Sequence, residues 1–231
     1  MINTIPKPGI PLLILIGLIF VSAVSCKKEA SNEPAPVKDI DGNIYHEVTI
    51  GSQVWMVENL KTTKYRNGEA ITNVTAGIEW RNQVEGSFCW YNNEVSYKNV
   101  YGALYNWHAV NDTRKIAPAG WHIASNAEWI TLVNFLGGGI IADGKLKETG
   151  NIHWLKPSVA ASNQSGFTAL PGGYRGAEGS FFDLGLRVSW WCSDDNGNAS
   201  VQGRSMVNDA SNVLVVNTDK TAGFSVRCIK D

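Results

Sequence analysis

A dominant charge is what this 231-residue sequence lacks most clearly: 20 Lys and Arg offset 21 Asp and Glu, for a formal net charge of −1. A phosphate backbone finds no electrostatic match, so nucleic acid is excluded as a partner. The composition of a disordered chain is missing too, because 44% hydrophobic against 18% charged residues can bury a core. Signatures of chemistry are scarce. His46, His108, His122 and His153 are scattered without metal-ligand spacing, and the chain contains no His-Glu-x-x-His, no paired Cys-x-x-Cys and no Gly-x-Ser-x-Gly. Gly137-Gly138-Gly139 follows a helical pattern, whereas a phosphate-cradling loop precedes one. No unit of 20 to 50 residues repeats, which excludes a solenoid or propeller. Tryptophan, by contrast, is abundant: nine residues, where composition averages give about three.

The N-terminus speaks to compartment. A short polar start with Lys7 leads to an apolar run from Ile10 to Val21 and then Ser22-Ala23-Val24-Ser25-Cys26. That run falls short of the roughly 20 residues of a membrane span, and small residues close it as in a signal peptide. Residues 1–25 are therefore expected to be a signal peptide. Ala23-Val24-Ser25-Cys26 resembles a bacterial lipobox, which implies diacylglycerol on Cys26 and an anchor of several acyl chains. Residues 26–38, with Lys27-Lys28-Glu29 and Pro34-Ala35-Pro36, read as the lipidated Cys and a flexible tether. The expected location is the cell envelope, as an outer-membrane lipoprotein facing the surface or the periplasm.

From Asp39 onward the composition is globular, so residues 39–231 are read as one domain. Asp41-Gly42-Asn43 signals a turn, residues 44–50 alternate as a half-buried strand, and Gly51-Ser52 turns the chain into a second strand over 53–60. Tyr101 to Val110 fits a short helix or an aromatic-rich strand equally well. Ser125-x-x-Glu128 is a capping box; Trp129, Leu132, Val133 and Leu136 follow at helical spacing until the three glycines stop the run. A second short helix is expected over 142–148. Beyond Trp154, short apolar runs at 167–170, 181–182, 188–191, 205–207, 213–216 and 224–229 predict antiparallel strands. The expected class is α+β, with few helices and long loops.

Eight ordered segments carry a resemblance across nearly the whole domain. They include Ile50-Gly51-x-Gln53-x-Trp55-Met56-x-Glu58-Asn59-Leu60, Tyr101-Gly102-x-Leu104-Tyr105-Asn106-Trp107, Pro171-Gly172-Gly173-Tyr174-Arg175 and Gly223-Phe224-Ser225-Val226-Arg227-Cys228. Together they resemble the Fibrobacter succinogenes major paralogous domain, found mostly on secreted and lipid-anchored proteins of Bacteroidetes and Fibrobacteres and without an established activity. Gly120-Trp121-His122-Ile123 leading to Glu128-Trp129 is similar to formylglycine-generating enzymes and the C-type lectin-like fold. The resemblance implies pairing of the first and last strands under a long-loop region.

Three cysteines remain once Cys26 is assigned to lipid, and outside the cytoplasm two of them should pair. The family pattern implies a Cys89–Cys228 disulfide with Cys192 left as a thiol. Asp194, Asp195, Asn196 and Asn198 form an oxygen-rich loop after Trp190-Trp191, read either as a solvated turn or as a calcium site; no other cofactor is expected. Trp80 and Trp90 lie in the variable stretch 76–93 and are either core or stacking platforms for a sugar. The expected function is that of a lipid-anchored, non-catalytic binding or surface-structural module for a glycan or a surface protein. An enzyme of the formylglycine-generating class is the alternative.

Overall fold

The computed structural model describes residues 1–3, 36–156, 161–195 and 197–231. Cys26, the remaining leader and tether residues through 35, and Asn196 lie outside the described residues. The chain divides into the units Met1–Pro34 and Ala35–Asp231, and every strand and helix of the described residues lies in the second.

The strands and helices, in chain order, are β1 (Val37–Lys38), β2 (Ile44–Tyr45), β3 (Glu47–Ile50), β4 (Gln53–Met56), β5 (Thr72–Asn73), α1 (Gly77–Arg81), β6 (Ser87–Cys89), α2 (Lys98–Tyr101), β7 (Leu104–Tyr105), α3 (Trp107–Val110), β8 (Trp121–Ile123), α4 (Asn126–Phe135) and α5 (Gly139–Leu146). The second half holds only strands: β9 (Gly172–Arg175), β10 (Phe181–Leu184), β11 (Arg187–Trp191), β12 (Ser200–Val207), β13 (Leu214–Asp219) and β14 (Cys228–Lys230). Sheet orders are β10-β9-β11-β12-β13, β3-β4-β14-β8, β5-β6-β7 and β1-β2, antiparallel except where β11 meets β9 and β5 meets β6. Few short helices and mostly antiparallel sheet match the expected composition.

Several details correct the sequence reading. The domain begins before Asp39, since Val37 pairs with Tyr45 and packs against the core. In β2 the buried residue is Tyr45 while Ile44 is exposed, reversing the predicted face. Tyr45 faces inward because its hydroxyl donates to Asp39 Oδ2 (2.6 Å) and accepts from the Lys61 amide (3.0 Å). The ambiguous stretch around Tyr101 resolves into both alternatives, α2 and α3 flanking β7. At α4 the capping box closes as predicted, and α5 starts earlier than predicted, at Gly139.

Residues 223–227 are not a ladder strand. Their single bridges go to different partners, Gly223 to Arg175, Phe224 to Tyr105 and Ser225 to Trp190, before β14 inserts between β4 and β8. One segment thus ties β9, β7 and β11 together before it completes the sheet opened by the N-terminal hairpin.

All nine tryptophans are buried, none more than 7% exposed. Trp55, Trp129, Trp190 and Phe167 form one cluster with ring centroids 5.1–5.9 Å apart. Burying 150–250 Å² per ring contributes about 4–6 kcal/mol each before entropy is charged against it. A domain with little helix closes its core on indoles.

Candidate functional site

The proposed sugar platforms fail on burial. Trp80 is fully enclosed and stacks under the Arg175 guanidinium at 4.5 Å, while Trp90 is 7% exposed and packs edge-on against Phe88 at 5.3 Å. Neither offers a face to a ligand.

The acidic loop is likewise engaged elsewhere. Asp194 Oδ2 accepts from the Asn126 amide at the start of α4 (2.5 Å), where helix-end amides favour an anion. Asp195 accepts from the Gly197 amide (2.9 Å) and faces Lys220 Nζ at 3.7 Å. The two carboxylates serve different partners, and no group of three or more His, Cys, Asp or Glu converges among the described residues; Asn196 of the expected calcium loop lies outside them.

The implied disulfide is also absent. Cys89, Cys192 and Cys228 are buried free thiols; Cys89 sits opposite Leu104 in one sheet and Cys228 opposite Ile123 in another. Burial pushes Cys89 and Cys228 up to about 12 and Cys192 to about 11, so all three stay protonated and inert. In the native protein Cys89, Cys192 and Cys228 should resist thiol labelling, and all three should take label in guanidinium, with a melting temperature indifferent to reductant. An intact mass about 2 Da below the reduced value would contradict this.

His122 joins two elements. Its Nε2 lies 2.7 Å from Glu128 Oε1 and its Nδ1 2.7 Å from Asp231 Oδ1. A neutral imidazole has one N–H, so two carboxylates on opposite nitrogens require the imidazolium. Partial burial opposes the charge, but the hydrogen bonds that His122 donates to Glu128 and Asp231 outweigh it and raise the pKa above the ordinary value of 6.5. Glu128 moves down, because the Ser125 and His122 bonds overcome its own desolvation. A raised folded-state pKa stabilises fully below about 6.5 and is lost as pH climbs through the raised value. His122→Gln should therefore flatten the pH dependence of the melting temperature above about pH 6.5; an identical slope in the wild type would remove this role.

Several surface depressions of about 230–380 Å³ are large enough for a small molecule, and two of them are bordered by a histidine. The first, about 290 Å³, borders Trp121, His122 and Ser193; both His122 nitrogens are occupied as above, and Arg66 is held by the carbonyls of Ala117, Pro118 and Trp121. The second, about 340 Å³, is walled by Val57, Val100 and Leu170 and edged by Asn99, His153 and Thr168, with Arg227 in its floor. A row of half-buried rings leads to it. Phe181 meets Tyr91 at 5.3 Å, Tyr91 meets Tyr97 at 5.8 Å, Tyr97 meets Tyr101 at 5.8 Å, and Tyr101 meets His153 at 5.8 Å.

This second site is held rigidly. Asn59 Nδ2 donates to the Tyr101 carbonyl (2.9 Å). Gly102, at φ +78°, lets the chain pass close enough that a Cβ there would sit 2.8 Å from the Leu60 carbonyl oxygen and the Asn59 Cβ. Thr168, a β-branched residue at φ +55°, is kept in that costly conformation by two 2.9 Å bonds with Asn163. Sequence reasoning quoted Tyr101 and Arg227 only as motif members and passed over Tyr97. The available signal was the four-residue spacing of Tyr97 and Tyr101, which stacks neighbours on a helix.

A largely antiparallel domain with few helices, a buried tryptophan core and a surface cavity approached by a row of aromatic rings is the class that fold and site define. The chain belongs to the Fibrobacter succinogenes major domain family, whose model matches residues 48–230. Comparison with curated proteins and with solved structures gives no significant match.

Proposed function

We propose that this is a lipid-anchored cell-envelope protein whose domain is a non-catalytic binding module for a glycan. The observation that carries the reading is the row Tyr91, Tyr97, Tyr101 and His153 ending at the 340 Å³ cavity: rings with polar edges beside a mixed apolar and polar hollow suit a polyhydroxylated ligand. The C-type lectin-like assignment belongs to the same reading, supported by β14 joining the N-terminal hairpin in one sheet. Cys26 supplies the anchor at the outer membrane, and residues after it the tether. In the test, the detergent-extracted full chain is applied to a glycan array, with Tyr97→Ala as control. Binding that this variant loses supports the module, whereas a blank array on correctly folded protein overturns it. Cys26→Ser should move the protein out of the membrane fraction, and unchanged fractionation overturns the anchor.

A further inference from the structure

The cavity at the end of the tyrosine row is lined in part by a guanidinium with one nitrogen to spare. Arg227 is 1% exposed. Its Nε donates to Asn59 Oδ1 (3.1 Å), and its Nη1 donates to the carbonyls of Met56 (3.0 Å), Phe167 (2.8 Å) and Val57. The Phe167 ring lies 4.1 Å beneath it. Nη2 makes no hydrogen bond to the described residues, and it is not among their sealed polar atoms, so its two N–H groups open where Arg227 lines the cavity.

No carboxylate of the described residues pairs with this cation. Glu58 lines the same cavity, but both its oxygens are taken by His46, Oε2 by the main-chain amide (2.8 Å) and Oε1 at 2.5 Å from Nδ1. Glu148 has both oxygens 2.9 Å from His153 Nδ1. Arg227 therefore donates only to neutral acceptors and lies on aromatic faces, with Glu58 acting on it through space and not through a hydrogen bond. Burial outweighs the attraction of Glu58 and draws the Arg227 pKa down to about 9.

We propose that the cavity binds a uronic-acid residue of a glycan, its carboxylate accepting from Arg227 Nη2 and its pyranose ring lying against His153 and the apolar wall of Val57, Val100 and Leu170. This rests on the glycan-binding reading above and narrows it to acidic sugars. A single cation presenting one free nitrogen suits a monoanion; a phosphate or sulfate ester would leave oxygens without donors. The Asn99 and His153 edges provide polar contacts for ring hydroxyls, while Val57, Val100 and Leu170 keep water from the ion pair and so strengthen it.

The test is calorimetry on the full chain with D-glucuronate, its uncharged amide, D-glucose and N-acetylalanine. Glucuronate should bind at least about tenfold more tightly than the other three. Because Arg227 also supports the core, its substitution confounds binding with folding; Val100→Trp, at an exposed wall, plugs the cavity instead. That variant should keep the wild-type melting temperature and lose glucuronate. Equal binding of the amide, tighter binding of N-acetylalanine, retained binding in Val100→Trp, or no glucuronate binding at all each overturns the proposal. Neutral glycans bound on the array without glucuronate binding would defeat it while leaving the glycan-binding reading intact.

Discussion

Lys147→Met should destabilise the domain by about 3–5 kcal/mol, the usual cost of orphaning one partner of a buried ion pair. Lys147 and Asp143 have no exposed side-chain surface, and Nζ lies 2.6 Å from Asp143 Oδ2. The ammonium also donates to the carbonyls of Val207 (2.6 Å) and Ala210 (3.1 Å) and sits 5.2 Å from the Trp154 ring centre. Asp143 is far worse provided for: Oδ1 has no hydrogen-bond partner, and desolvation raises the acid to about 6 although Lys147 pulls the other way. Because the folded-state pKa exceeds that of the unfolded chain, the native state binds the proton first, and this group favours folding as pH falls from about 6 toward 4. Without Lys147 that preference should strengthen, so the variant gains stability on moving from pH 7 to pH 5. For a domain of this size the loss at neutral pH corresponds to a fall of about 10 °C in melting temperature. The double variant Asp143→Leu, Lys147→Met removes both charges and should recover most of the deficit. Urea unfolding of the three proteins at both pH values provides the check; equal deficits in single and double variants would assign the loss to packing rather than charge.

Asn59→Leu should cost about 3–6 kcal/mol, because one side chain serves three buried groups. Asn59 Oδ1 accepts from Trp190 Nε1 (2.8 Å) and Arg227 Nε (3.1 Å), while Nδ2 holds the Tyr101 carbonyl (2.9 Å). Leucine fills the same volume and leaves an indole N–H, a guanidinium N–H and a carbonyl unsatisfied, each about 1–3 kcal/mol and more for the charged donor. Asn59→Asp keeps both accepted bonds and brings a carboxylate to Arg227, so it should lose much less stability. It should also compete with a ligand carboxylate and weaken glucuronate binding. Unfolding midpoints together with calorimetry separate the two effects. A mild Asn59→Leu phenotype would mean the network around Arg227 does not hold the core.

Local chemistry was legible in the sequence. The capping box at Ser125 and Glu128, the Gly51-Ser52 hairpin and the punctuated strands of the second half follow from capping, turn preference and period-two patterning, which act over a few residues. The errors came where partners are distant. Tyr45 faces inward for Asp39 and the Lys61 amide, against the alternation around it. Residues 224–229 read as a strand by their apolar run, but only the last part joins a ladder, since earlier residues each bridge a different element. Trp80 and Trp90 read as possible ligand platforms because a variable stretch carries no burial signal; Arg175, distant in sequence, covers Trp80, and Phe88, two residues before Trp90, meets it edge-on, and both indoles are enclosed.

By itself the sequence determined the class of domain, its family and most of its short-range elements, because charge balance, spacing and caps are properties of neighbouring residues. Only the tertiary structure decided that the cysteines lie apart as thiols, that all nine tryptophans are core, and that Arg227 reaches a cavity with Nη2 uncommitted. The physical reason is the same throughout: whether a polar or aromatic group is satisfied or available depends on what packs against it, and here such partners stand 168 and 171 residues away, as Asn59 and Met56 do from Arg227.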